Sequence, residues 1–277
     1  KLTGRYIEFE MVPLSFEEYE GIKEFYGKAI ASDRQEELQN YILEGGFPRT
    51  IQMDSISAKR RYVQSVIDEI FEKDIRRRLK IRNKNTFETV QKYIINNFGA
   101  TTSLKSLKKA IEQSGTAISE ATIARYIKAL LDAKILCECP RFDMKSKKSL
   151  SGEKKYYLAD TAFYFAQNTD NRINFGPVLE NITYIYARSH DYSVSVGRVG
   201  KLECDFILRN DEMRYSYIQV AYTIALSKET EDREYRPLEA IKDNYPKYVV
   251  TADSILQQRN GIEHINLVDF MRNGKAF

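Results

Sequence analysis

The sequence predicts an α+β chain of several domains, with helices at its N-terminal end, a basic middle and a sheet at its C-terminal end. Three observations carry this reading. Apolar residues recur at helical spacing in the first part. Three short helix patterns and a basic hairpin follow. Period-two alternation then takes over. A length of 277 residues suits two or three domains at roughly 100–200 residues each. A hydrophobic content of 43% with 30% charged residues is that of a folded globular chain. No apolar run approaches the ~18–20 residues that span a bilayer, so no membrane partner is expected.

The elements follow in order. Tyr6–Pro13 alternates as a short strand. Ser15–Phe25 reads as a helix capped by Ser15, with Glu17 and Glu18 in the first turn, where the helix dipole favours anions. Asp33–Glu44 is helical and is broken by Gly45-Gly46-Phe47-Pro48. Ser57–Ile81 has helical periodicity through Tyr62, Val66, Ile70, Ile75 and Leu79. Phe87–Phe98, Leu104–Gln113 and a helix opened by Ser119 form a compact trio, stopped in turn by Gly99 and Gly115. Ile135–Phe142 and Lys155–Ala159 are the strands of a basic hairpin. Beyond Thr161 come a helix (Gly176–His190), three strands (Tyr192–Val199, Leu202–Leu208, Tyr215–Tyr222), a helix (Arg233–Asn244, irregular at Pro237) and two strands (Lys247–Thr251, Glu263–Leu267). That order implies a mixed sheet flanked by helices.

Charge is distributed unevenly. The chain has 43 Lys and Arg against 39 Asp and Glu, a net charge of +4. Between Lys73 and Lys155, however, 20 basic residues face 8 acidic ones. Such a segment suits a polyanion. Its clusters are Arg76, Arg77, Arg78, Lys80, Arg82 and Lys84; then Lys105, Lys108 and Lys109; then Lys145, Lys147, Lys148, Lys154 and Lys155. Three short helices followed by a basic hairpin describe a winged helix, which places its third helix in a DNA major groove and its wing on the backbone. Thr122, Arg125, Tyr126 and Lys128 are the candidate contacts on the third helix. Lys105, Lys108 and Lys109 belong to the second, and Lys145, Lys147 and Lys148 to the wing. DNA is the expected partner.

Other chemistries are excluded. Cys137, Cys139 and Cys204 form no paired framework, which suits a reducing, cytoplasmic setting, and Cys137-x-Cys139 is too tight for a zinc half-site. Two isolated histidines make neither a hydrolase triad nor a metal cage. The stretch Gly21–Ala29 imitates a phosphate loop but has five residues between its glycines and no hydroxyl for magnesium.

The C-terminal region carries one chemically suggestive set: Glu180 on a helix, Asp205 within a strand, and Gln219 on the next strand. Oxygen ligands so placed suit Mg²⁺, held here by Asp205 and Glu180, and such an ion activates water against a phosphodiester. The segment resembles the PD-(D/E)XK nuclease superfamily. Asp205 matches the strand acid, Gln219 the following strand position and Glu180 the helix acid. That resemblance implies catalytic roles for Glu180, Asp205 and Gln219. The superfamily's lysine is missing, because Ala221 stands in its place, and Lys201 or Lys228 would have to reach in from elsewhere.

The whole chain is similar to the C-terminal part of a bacterial and archaeal family of AAA-type P-loop ATPases. The residues that carry this are Leu2-Thr3-Gly4-Arg5-Tyr6, Pro13-Leu14-Ser15-Phe16, Tyr41 to Pro48, Ile70 to Ile75, Tyr156 to Thr161 and Ile218-Gln219-Val220. The resemblance implies three parts: residues 1–70 as the edge of an ATPase core with a helical lid, 71–160 as a basic helix and winged helix, and 161–277 as a nuclease-like domain. It also implies that Arg5 lies where an ATPase core senses nucleotide. The start at Lys1 reads as a chain cut from something longer. The phosphate loop would lie upstream, so ATP hydrolysis is expected only of a full-length parent. The expected function is a DNA-associated module whose nuclease-like domain lacks robust cleavage. A metal-dependent endonuclease is one alternative. A protein-interaction or homo-oligomerisation scaffold is another, favoured by an aromatic content of 12%.

Overall fold

The computed structural model describes residues 10–79, 81, 83–168 and 174–277. Arg5, Lys80 and Arg82, and most of the expected strand Tyr6–Pro13, lie outside the described residues.

Helices begin where the sequence supplies a cap. Ser15 accepts the amide of Glu18, and Glu18 accepts the amide of Ser15 at 2.8 Å, which opens α1 (Phe16–Phe25). Asp33 caps α2 (Arg34–Glu44), which ends at Gly45 with φ +74°. Proline at the first position starts α3 (Pro48–Ile51). The long helix expected up to Ile81 is instead divided. α4 (Ile56–Ile70) passes through a π-helical turn (Phe71–Ile75) into α5 (Arg76–Leu79), the wide turn closing from the Arg76 amide to the Phe71 carbonyl. A π-turn inserts one extra residue, so the apolar stripe is rephased partway along.

The helical trio is present as α6 (Lys84–Asn96), α7 (Leu104–Gln113) and α8 (Glu120–Asp132), capped by Asn83, Ser103 and Ser119. A two-residue strand, β1 (Thr101–Thr102), separates the first two helices. The hairpin is β2 (Leu136–Asp143) and β3 (Lys148–Leu158). Next come α9 (Ala162–Gln167), α10 (Phe175–Ser189), β4 (Ser193–Val199), β5 (Leu202–Arg209) and β6 (Tyr215–Val220). The chain closes with α11 (Lys228–Ala240), β7 (Lys247–Thr251), β8 (Gln258–Arg259), β9 (Ile262–Asn266) and α12 (Leu267–Arg272). Pro237 is accommodated inside α11.

The architecture is α+β around one mixed nine-stranded sheet of order β1-β3-β2-β4-β5-β6-β7-β9-β8. The hairpin is therefore not a free wing. β2 pairs in parallel with β4, Arg141 opposite Val196 and Asp143 opposite Arg198, so the sheet runs unbroken past the domain boundary expected at residue 160. α10 covers one face, with Val178, Leu179 and Tyr184 packed among Tyr157, Phe206 and Ile218. α11 covers the other, with Tyr235 and Leu238 against Tyr217 and Val249.

A buried polar latch ties the N-terminal helices to this body, beside the surface ion pairs Arg34–Asp269 and Arg272–Glu20. The buried carboxylate of Asp160 accepts the amides of Gly46 and Ala162, both at 2.7 Å, and the Thr161 hydroxyl donates to the Ile42 carbonyl at 3.1 Å. Two sequence signatures more than a hundred residues apart thus meet at one point. Among the described residues, no helix is long and apolar enough to cross a membrane.

Candidate functional site

The carboxylates predicted from the C-terminal pattern do converge, on a cation the sequence reading assigned elsewhere. Asn181 fixes the geometry. Its side-chain oxygen accepts the Leu158 amide at 2.7 Å and its nitrogen donates to the Leu158 carbonyl at 2.9 Å, so α10 is hydrogen-bonded along β3 as if Asn181 were a strand residue. The neighbouring Glu180 is thereby aimed at β3. Its Oε1 accepts Lys155 Nζ at 2.9 Å and the hydroxyl of Tyr157. Lys155 makes a second ion pair, also at 2.9 Å, with Glu203 of β5. Glu203 Oε2 in turn receives Arg141 at 2.8 Å.

Asp205 completes the inner set. It lies where the β5–β6 ladder gives out, and its Oδ2 accepts the Val220 amide at 2.8 Å in place of a strand carbonyl. Gln219 faces the other way. Its oxygen takes the Asp205 amide at 3.4 Å, and its nitrogen donates to Glu234 of α11 at 3.0 Å. Glu180 and Asp205 therefore surround one lysine, whereas Gln219 links Asp205's backbone to α11.

Electrostatics in the cluster follow from burial. Lys155 is only 5% exposed, and burial alone would depress its pKa; the charges of Glu180, Asp205 and Glu203 overturn this and raise it. The Asp205 carboxyl is raised well above the usual range, first by burial and then by Glu180, with Lys155 pulling it back. The Tyr157 hydroxyl is likewise held protonated by burial and by Glu180.

Several expectations need correcting. Lys155 belongs to this cluster and not to a DNA-facing wing. Neither Lys201 nor Lys228 fills the position opposite Ala221: Lys201 is exposed in the β4–β5 turn, and Lys228 pairs with Glu231 at 2.7 Å in the first turn of α11. Among the described residues no group of three or more Asp, Glu, His or Cys is arranged to hold a metal ion. Lys155 supplies the positive charge among Glu180, Glu203 and Asp205. Lys155 and Tyr157 of β3, Glu203 of β5 and Glu234 of α11 were not singled out for this site, because only strand pairing and helix packing bring these elements together. The one readable hint was a lysine inside an apolar strand, Lys155 before Tyr156-Tyr157-Leu158.

The nucleic-acid candidates divide. Lys105, Lys109, Arg125, Lys128, Lys145, Lys147 and Lys148 are exposed. Lys108 and Lys128 are engaged along their own helices, with Glu112 at 3.7 Å and Asp132 at 2.9 Å. Thr122 shares a hydrogen bond with the capping Ser119 hydroxyl. Tyr126 is core: it is 4% exposed, its ring lies edge-on against Phe87, and Arg125 lies over that ring. The first basic cluster is also partly neutralised, Arg76 by Glu72 at 2.7 Å and Lys84 by Glu72 and Glu88 at 3.5 and 3.7 Å. Lys154 pairs with Glu138 at 2.6 Å. The outward face of α8 is the stripe Ala121, Arg125, Lys128 and Asp132, opposite the buried Ile123, Ile127 and Leu130.

Fold and cluster together define an α+β protein whose mixed sheet encloses a lysine-filled carboxylate site. Residues 35–172, from α2 to just past α9, match a domain of unknown function, DUF8612. The chain is 29% identical over 273 residues to an uncharacterized protein of Haemophilus influenzae, covering 98% of this chain and 66% of that protein. It is 27% identical over 252 residues to an uncharacterized protein of Methanocaldococcus jannaschii, covering 87% of this chain and 55% of that one. The chain therefore spans under two thirds of the length of these relatives. No solved structure matches it.

Proposed function

We propose that the chain is a DNA-binding accessory module of a larger ATPase-family protein, in which a nuclease-like carboxylate set is retained as an internal ion cluster. The observation that carries this reading is the exposed stripe on α8 beside the lysine-bearing hairpin. The order α6, β1, α7, α8, β2, β3, with strands arranged β1-β3-β2, supports a winged-helix reading, on which Arg125 and Lys128 occupy the groove-facing side of the third helix. Lys145, Lys147 and Lys148 at the tip of the hairpin supply backbone contacts. The order α10, β4, β5, β6, α11, β7, with β4-β5-β6 antiparallel and β6-β7 parallel, supports the nuclease-like reading of the rest.

Binding to a duplex, followed by fluorescence anisotropy across a salt series, is expected to weaken steeply with salt, since each neutralised phosphate releases counterions. Arg125→Ala and a combined alanine replacement of Lys145, Lys147 and Lys148 should weaken binding. Each should also flatten the slope, by about one for every phosphate no longer neutralised. A salt-insensitive affinity, or variants that bind like the parent, removes the proposal.

Cleavage is a separate matter. Because Lys155 satisfies Glu180 and Glu203, supercoiled plasmid incubated with Mg²⁺ or Mn²⁺ is expected to stay intact. Nicking that disappears in Asp205→Ala would instead establish the endonuclease reading.

A further inference from the structure

Between α4 with its π-turn, α6 and α9 lies a polar pocket of about 260 Å³, lined by Gln64, Asp68, Phe71, Gln91, Lys92 and Gln167 among others. Two of its lining residues carry buried polar atoms that have no hydrogen-bond partner among the described residues, the Nε2 of Gln91 and the Oε1 of Gln167. Gln91 is only 5% exposed and sits on the buried face of α6 with Phe87, Val90 and Ile94. An apolar side chain there would fold more stably, because a buried amide that makes no bond costs stability. The π-turn at Phe71 gives the wall its shape, and such turns are frequent at functional sites.

We infer that this pocket is a ligand site for a nucleobase. The unpartnered groups are one donor and one acceptor, so the ligand has to offer an acceptor and a donor. The edge of a nucleobase does this in one small planar frame, and glutamine amides are suited to reading it. The volume is below that of sites for drug-sized ligands, so it fits one heterocycle rather than a dinucleotide. Lys92 lies exposed on the pocket wall with no ion-pair partner among the described residues, placed to meet a phosphate attached to the base. The pocket lies wholly within residues 64–167, inside the stretch that matches the domain of unknown function, and the inference does not depend on the DNA-binding reading. The base has two sources, a free nucleoside monophosphate or an unpaired residue of a strand.

The test uses saturation-transfer NMR on the whole chain with AMP, GMP, CMP and UMP, with adenosine, with ribose 5-phosphate, and with a short mixed-sequence single-stranded oligonucleotide. At least one base-containing probe should give a saturable signal strongest on the base protons, and ribose 5-phosphate should give none. Gln91→Met and Gln167→Met should each weaken that signal at least tenfold. Lys92→Ala should weaken a monophosphate while sparing the nucleoside. A signal from the oligonucleotide alone, abolished by Gln91→Met, assigns the base to a strand. In the absence of ligand, Gln91→Met should raise the melting temperature by about 2–4 °C, as expected when an unsatisfied buried group is removed from a chain of this size. A lower melting temperature in that variant shows the amide already satisfied by water and overturns the inference. So does the lack of any base signal that depends on Gln91.

Discussion

Replacing Lys155 by methionine is expected to cost about 3–5 kcal/mol of stability, the range seen when one partner of a buried ion pair is removed and the other is left behind. Methionine keeps an unbranched stem of similar length, so packing is largely preserved and the loss reports the ammonium. Its removal leaves Glu180 with the Tyr157 hydroxyl but no cation among the described residues, leaves Glu203 to Arg141 alone, and takes from Asp205 the charge that offsets burial and Glu180. The loss should depend on pH in a definite direction. Carboxyls whose pKa is raised in the folded state bind more protons folded than unfolded, so stability falls as pH rises. Without Lys155 the Asp205 carboxyl loses the charge that pulls it back and rises further, so the deficit of Lys155→Met in urea unfolding should be greatest near pH 8 and shrink toward pH 5. Adding Glu180→Gln to Lys155→Met should recover part of the loss, with a coupling energy above about 1 kcal/mol in the double-mutant cycle, as for residues in direct contact. A near-neutral Lys155→Met without pH dependence would falsify the placement of this ammonium among the carboxylates.

The prediction also shows what was legible beforehand. The αβββαβ order, the helical trio and the caps Ser15, Ser103 and Ser119 are local, and periodicity or capping chemistry shows them directly. Glu180 and Asp205 were legible as a pair because both are charges within apolar elements. Lys155 was not, because its neighbour Lys154 and the wing lysines made it look like one more solvated cation. Only the parallel pairing of β2 with β4 brings the base of the hairpin next to Glu203. β1 was invisible for a different reason: two residues carry no period, and Thr101 and Thr102 become a strand only by pairing with Lys155 and Lys154. The π-turn escaped because helical spacing before and after Phe71 is regular and only the phase changes. Tyr126 was misread because an aromatic among basic residues suits stacking on bases, while its spacing from Ile123, Ile127 and Leu130 puts it in the core.

The second large effect is expected at the latch that joins the N-terminal helices to the body. Gly45→Ala should be strongly destabilising for two independent reasons. Its φ of +74° is a conformation L side chains rarely adopt, and an added Cβ would lie 2.1 Å from Asp160 Oδ1 and 2.6 Å from Ala162 Cβ. The carboxylate cannot retreat without releasing the amides of Gly46 and Ala162. Left unpaired, each of those buried amides costs about 1–3 kcal/mol, so Asp160→Ala and Gly45→Ala should both lose roughly 2–5 kcal/mol in urea unfolding. The latch also sets a pH trend for the native protein. Burial pushes the Asp160 carboxyl from 3.8 up to about 7, against the two amides that favour its anion. Below pH ~4 the group is protonated whether folded or unfolded, and its contribution is fully present. Between pH ~4 and ~7 the unfolded chain gives up the proton and the folded one keeps it, so each pH unit removes about 1.4 kcal/mol, and above that the loss is complete. Stability measured from pH 5 to pH 8 should therefore fall more steeply for the parent than for Asp160→Ala, which lacks the titrating group. Parallel pH profiles for the two would mean that Asp160 is ionised in the fold and that the two amides are held by a carboxylate instead of by a neutral carboxyl.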